Sequence, residues 1–145
     1  GVAMSGGKPS FVYWVVGVLA TAWNSLGVMS YVESVRRTPE ALAALPEAER
    51  ALMAATPAWV TGAFAVAVFG GVAGSLMLLL RSRWSGAVLA LSLLAAIAQF
   101  GYLYGVAGAY GVLGNAGAGM AASIILVGVF LVWYAGRAKA RGWLR

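Results

Sequence analysis

Of the 145 residues, 62% are hydrophobic and 10% are charged, with a mean hydropathy of +0.87; a soluble domain carries about 25% charged residues, so a water-soluble fold has no place for this much apolar surface. The chain has no Cys, His or Asp, which excludes disulfides, thiolate redox chemistry and the usual ligand sets of zinc, haem and non-haem iron, and no cofactor is expected. The net charge of +6 and a pI near 10.2 read as membrane topology and contact with anionic lipid, not as nucleic-acid binding.

The charged side chains fall in four patches: Lys8, Glu33 to Arg50, Arg81 and Arg83, and Arg137 to Arg145. The stretches between them, 9–32, 51–80 and 84–136, are free of charge. About 20 apolar residues match the roughly 30 Å hydrocarbon core of a bilayer, and the last stretch is long enough for two crossings. The pattern predicts an all-α chain forming a single domain, 1–145, with four transmembrane helices in an up-down bundle and spans at about 11–32, 58–80, 85–104 and 118–135. Gly1 to Ala3, ahead of Met4, read as the remnant of an expression tag, and no cleavable signal peptide is evident.

In the first span, Gly17, Thr21 and Ser25 form a ridge of small residues beside Asn24. After it, Glu33 stands three and four residues ahead of Arg36 and Arg37, the spacing of a local ion pair on a helix. Across 38–56, Thr38-Pro39-Glu40 and Leu45-Pro46-Glu47 each signal a helix start, and Leu42, Leu45, Ala48, Leu52 and Ala55 recur at helical spacing. Two short amphipathic helices are predicted, lying on the bundle or bilayer surface as a lid or as a docking surface. Thr56 as N-cap with Pro57 at the first helical position starts the second span firmly.

The second span carries Gly70 and Gly74, and the Arg81 to Trp84 turn after it must be tight. In the third span, Gln99 is followed by Gly101 and Gly105. Small residues four apart let helices approach closely where lipid supplies no hydrophobic drive, within one chain or between copies of a homo-oligomer. From 105 to 117 glycine recurs at every third position, which predicts a loosened helix end and an apolar loop, either a flexible hairpin or a re-entrant segment lining a cavity.

With four crossings, Lys8, Arg81, Arg83, Arg137, Lys139, Arg141 and Arg145 share one side and Arg36, Arg37 and Arg50 the other, so the positive-inside rule puts both termini in the cytoplasm. Tyr13, Trp14, Trp84, Trp133 and Tyr134 then fall at the inner interface, and Tyr31, Trp59, Tyr102 and Tyr104 at the outer one.

At 1.5 Å of rise per residue, Asn24 lies about 4 Å and Gln99 about 7 Å beyond the midpoints of their spans, both towards the outer face. Ser25, Ser30, Thr61, Tyr102 and Tyr104 fall at similar or shallower depth. The two amides either bond to each other across helices or, with those neighbours, line a small outward-opening cavity for a neutral solute. No carboxylate lies within a span, which disfavours proton-coupled antiport, and without His, Cys or Asp no activated nucleophile can be assembled, so an enzyme is not expected.

Trp23 to Met29 with Tyr31, Glu40 to Glu47 with Thr56 to Val60, Phe69 to Gly71 with Gly74, and Phe130 to Tyr134 with Gly142-Trp143 resemble a family of small four-span bacterial membrane proteins often labelled sugar transporters. The resemblance covers nearly the whole chain and implies a bacterial inner-membrane location. Two functional expectations follow: binding or transport of a small neutral solute, or a non-catalytic structural or assembly role through helix and lipid contacts.

Overall fold

In the computed structural model, which describes residues 8–145, the chain is all-helical, and four of its helices are long and apolar enough to cross a membrane. The order is α1 (Phe11–Val35), α2 (Pro39–Ala43), α3 (Glu47–Ala55), α4 (Ala58–Leu79), α5 (Ser85–Gly105) and α6 (Ala109–Ala140). The four long helices, α1, α4, α5 and α6, form the membrane bundle that the charge-free runs predict. Gly1 to Ala3 lie outside the described residues.

Local chemistry explains most of the helix starts. Thr38 caps α2, its hydroxyl accepting from Ala41 N at 3.1 Å, with Pro39 and Glu40 in the first turn. At the next boundary the expectation is corrected. Pro57 occupies the N-cap of α4, and Thr56 instead closes α3, donating to Leu52 O at 2.7 Å. Two residues serve both helix ends here, and the hydroxyl goes to the orphan carbonyl of the preceding helix. The ion pair expected of Glu33 is also not formed among the described residues: α1 ends at Val35, so Arg36 and Arg37 leave the helical spacing, and Arg37 Nη1 reaches Met53 Sδ at 3.2 Å.

The larger difference lies in the glycine repeat. The connection between α5 and α6 is confined to residues 106–108, with Gly108 at φ 69°, and α6 begins at Ala109 where a loop to 117 was expected. One break remains, at Gly114 (φ 66°, ψ −160°), bridged by the Tyr110 hydroxyl donating to Asn115 Oδ1. In an apolar medium each backbone group must find an internal partner, which favours helix even for a glycine-rich segment.

In space the four long helices form a row closed into a bundle: α4 packs on α1 and α5, α5 packs on α6, and α1 and α6 have no comparable contact. Gly17 receives Leu79 of α4, Gly74 receives Leu89 of α5, and Gly70 faces Ser92 of α5. A Cβ on Gly74 would stand 2.7 Å from Leu89 Cδ2 and 3.2 Å from Leu89 N, so this crossing needs glycine. Thr21 bonds within its own helix, to Gly17 O at 2.8 Å. Gly101 and Gly105 are exposed, with no atom within 4 Å of an added Cβ among the described residues, and pack no described helix.

The end carrying the termini is the tight one. Tyr13 is buried at the centre of a cluster with Leu78, Leu131, Ala135 and Ala138, its ring 5.6 Å from that of Trp143, and its hydroxyl donates to Leu78 O. It is therefore a core residue and not a member of an interfacial belt, whereas Trp14, Trp84 and Trp133 are exposed at this end. Residues 143–145 clamp the α4–α5 turn: Arg145 N donates to Arg81 O at 2.7 Å, Arg83 N to Arg145 O at 2.9 Å, and Arg81 Nε to Trp143 O at 2.7 Å.

Candidate functional site

The half of the bundle away from the termini is looser. Between the four long helices lies a cavity of about 400 Å³, within the roughly 300–1,000 Å³ range of small-molecule sites. Leu89 and Leu131, which also belong to the tight core, form its floor. Each long helix supplies wall: Trp23, Asn24 and Gly27 from α1, Phe64 and Gly71 from α4, Ser92, Gln99 and Phe100 from α5, and Met120, Ile124 and Gly128 from α6. No charged side chain lines it.

Asn24 is positioned by α4. Its Nδ2 donates to Ala20 O at 2.8 Å and to Ser75 Oγ at 3.4 Å, and Ser75 Oγ donates to Gly71 O at 2.7 Å. Gly71 makes this possible, because a Cβ there would overlap Asn24 Oδ1. Ser92 plays a similar bridging part between α5 and α4, its hydroxyl donating to Ala67 O. Such interhelical bonds within a membrane contribute on the order of 1 kcal/mol each.

Gln99 differs from both. Only 7% of it is exposed, it lines the cavity, and its amide makes no hydrogen bond among the described residues. The bond between Asn24 and Gln99 that their depths allow is not made; the two amides instead share the cavity wall. A buried carboxamide that offers both donors and an acceptor, without a protein partner, is costly in an apolar setting. It is chemically suited to meet a neutral group that both donates and accepts.

The other expected site residues are elsewhere. Ser25 and Thr61 are half-buried and do not line the cavity. Tyr102 sits at the end away from the termini, its ring 5.6 Å from Trp59 and its hydroxyl donating to Ala55 O at 3.4 Å, tying α5 to the end of α3. Ser30, expected near the two amides, does line the cavity, whereas Trp23, Phe64, Ser92 and Phe100 are wall residues that sequence reasoning missed. Among the described residues no three of His, Cys, Asp and Glu stand together to hold a metal. No protein-family model, curated protein or solved structure matches the chain.

Proposed function

We propose that this protein binds a small neutral solute in the cavity between its four long helices, as part of moving that solute or holding it in the membrane. The observation that carries the reading is Gln99: a buried amide without a protein partner, on the wall of a cavity that Asn24 also lines and no charge enters. Asn24 Oδ1, whose amide nitrogen is already engaged, is a second acceptor. The solute is neutral because an ion would leave water without a counter-charge, at a cost of several kcal/mol. The resemblance of the sequence to small four-span bacterial membrane proteins supports an inner-membrane setting, and the charge distribution supports both termini being cytoplasmic, which turns the looser half of the bundle towards the outer face.

The test is thermal unfolding of the purified protein across a panel of neutral compounds, from sugars and polyols to amides and alcohols of increasing chain length. Saturable stabilisation that disappears in Asn24→Leu and Gln99→Leu is the expected result. A flat response across the panel overturns the reading.

A second reading, a structural or assembly protein acting through helix and lipid contacts, is favoured by one observation. Gly101 and Gly105 offer a small-residue face on α5 that no described helix covers, and such faces admit close approach of another membrane helix, including a second copy. Native mass spectrometry from mild detergent distinguishes the readings: a dimer lost in Gly101→Leu supports assembly, and a monomer retaining a small ligand supports binding.

A further inference from the structure

We infer that the solute enters this cavity from the hydrocarbon of the membrane, between α1 and α6, and that it is a neutral amphiphile: a short hydrocarbon tail bearing a single hydroxyl or carboxamide head. The inference rests on the solute-binding reading above and narrows it to a class of ligand and a route.

The route follows from how the walls are closed. α4 is packed against both α1 and α5, and α5 against α6, while α1 and α6 have no comparable approach beyond the Tyr13 cluster at the termini end, so the seam between them is the loosest of the four. On the two helices that flank it, Leu26 of α1 and Met120 of α6 both line the cavity, yet they are 62% and 56% exposed. In a helix that crosses a bilayer, a side chain exposed at this depth meets lipid, so the opening gives onto acyl chains. At the end away from the termini, the ring of Tyr31 meets that of Phe64 at 5.3 Å and that of Trp59 meets Tyr102 at 5.6 Å. α3 lies against α6 there, and no residue of α2 or α3 lines the cavity. The termini end is filled by the Tyr13 cluster.

The class of ligand follows from counting free polar groups. Five side chains with polar atoms line the cavity: Trp23, Asn24, Ser30, Ser92 and Gln99. The Ser92 hydroxyl is engaged by Ala67 O and the Asn24 nitrogen by Ala20 O and Ser75 Oγ. Ser30 is exposed at the rim. This leaves the Gln99 amide, Asn24 Oδ1 and the lone donor of the Trp23 indole N–H. The remaining surface is aromatic and aliphatic, with Trp23, Phe64, Leu93, Phe100 and Ile124 foremost. A sugar would shed the hydration of many hydroxyls and recover only a few bonds. One hydroxyl or carboxamide is matched by Gln99 and Asn24, and a hydrocarbon tail by the rest of the wall.

The experiment uses the full chain in phosphatidylcholine nanodiscs, with thermal unfolding and Trp23 fluorescence as readouts. The probes are decanamide, 1-decanol, decane, decyltrimethylammonium, glycerol and glucose. Saturable binding of decanamide and 1-decanol is expected, at least tenfold weaker in Gln99→Leu, with Gln99→Met as a second variant should the first not fold. The fluorescence change is expected to vanish in Trp23→Phe. Because the natural chain has no Cys, a Leu26→Cys/Met120→Cys variant joined by a bismaleimide closes the seam, and it should exclude decanamide. Binding of glycerol or glucose that survives the cross-link overturns the membrane route and leaves solute binding standing. Decane or decyltrimethylammonium binding as tightly as decanamide overturns the assigned head. If no probe binds, both this inference and the reading beneath it fall.

Discussion

The side-chain oxygen of Asn24 lies in the space that a methyl group on Gly71 would need. This contact locks α1 to α4 at the depth of the cavity, and the Ser75 hydroxyl seals the same crossing by linking Asn24 Nδ2 to the Gly71 carbonyl. The α1 wall is thereby held to α4 while the α6 wall is held to α5, with Gly128 accepting Leu93. The bundle's tightest contacts thus lie between neighbours in the row, and its loosest seam is the consequence.

Gly71→Ala should separate α1 from α4. The added methyl overlaps the amide oxygen, and Asn24 must abandon its bond to Ser75 to make room, so a loss of about 1–3 kcal/mol is expected. Gly62→Ala is the control: it is exposed on the same helix with nothing near an added Cβ, and alanine is the better helix former by about 1 kcal/mol. Denaturant titration in detergent micelles should show Gly71→Ala destabilised and Gly62→Ala unchanged or more stable.

At the opposite end, Tyr13 combines burial with a hydroxyl on the Leu78 carbonyl. Tyr13→Phe removes the bond and keeps the ring, which should cost about 1 kcal/mol. Tyr13→Ala empties the centre of the cluster and should cost about 3–5 kcal/mol. Equal losses in the two variants would show that the ring contributes nothing.

The number of crossings was readable because charges mark the ends of each apolar run, and α2 was readable because Thr38-Pro39-Glu40 encodes its own cap. The start of α6 was not readable: glycines at every third position from 105 to 117 resemble a loop by propensity, yet the apolar environment holds most of the segment helical. The site was half legible. Depth along a span placed Asn24 and Gln99 together, because rise per residue is fixed. Rotation about the helix axis was not legible, since helices apolar all round carry no stripe to say which face turns inward; Ser25 therefore missed the cavity that its neighbour Asn24 lines, and Ser92 was overlooked.

Ser85, at the start of α5, is fully buried with a hydroxyl that has no partner among the described residues. Ser85→Ala keeps the volume nearly constant and removes an unsatisfied group. Stability should be unchanged or higher by up to about 1 kcal/mol. A marked loss would reveal a partner for that hydroxyl in the membrane, such as a bound water.

The topology reading is testable with single cysteines in a chain that has none of its own. Lys8→Cys and Arg83→Cys should react with a membrane-impermeant maleimide only after the cell is permeabilised. Glu47→Cys, on α3, should react in intact cells. The reverse pattern would invert the bundle and turn the looser half of the cavity to the cytoplasm.

Gln99 should show opposed effects on stability and binding. The residue is buried at 7% exposure, and its amide lines the cavity bonded to no described group, so the unliganded protein carries part of the desolvation cost of an unmet amide, at most about 1–3 kcal/mol. Gln99→Leu removes that cost and keeps the bulk, so the empty protein should gain stability by up to about that amount. The same change removes the group that meets the ligand, so stabilisation by ligand should vanish. Wild type and variant should therefore cross: the variant melts higher without ligand, and the wild type catches or passes it as ligand approaches saturation. A variant that is less stable when empty would mean that Gln99 holds the bundle together, and its amide would then be a structural bridge.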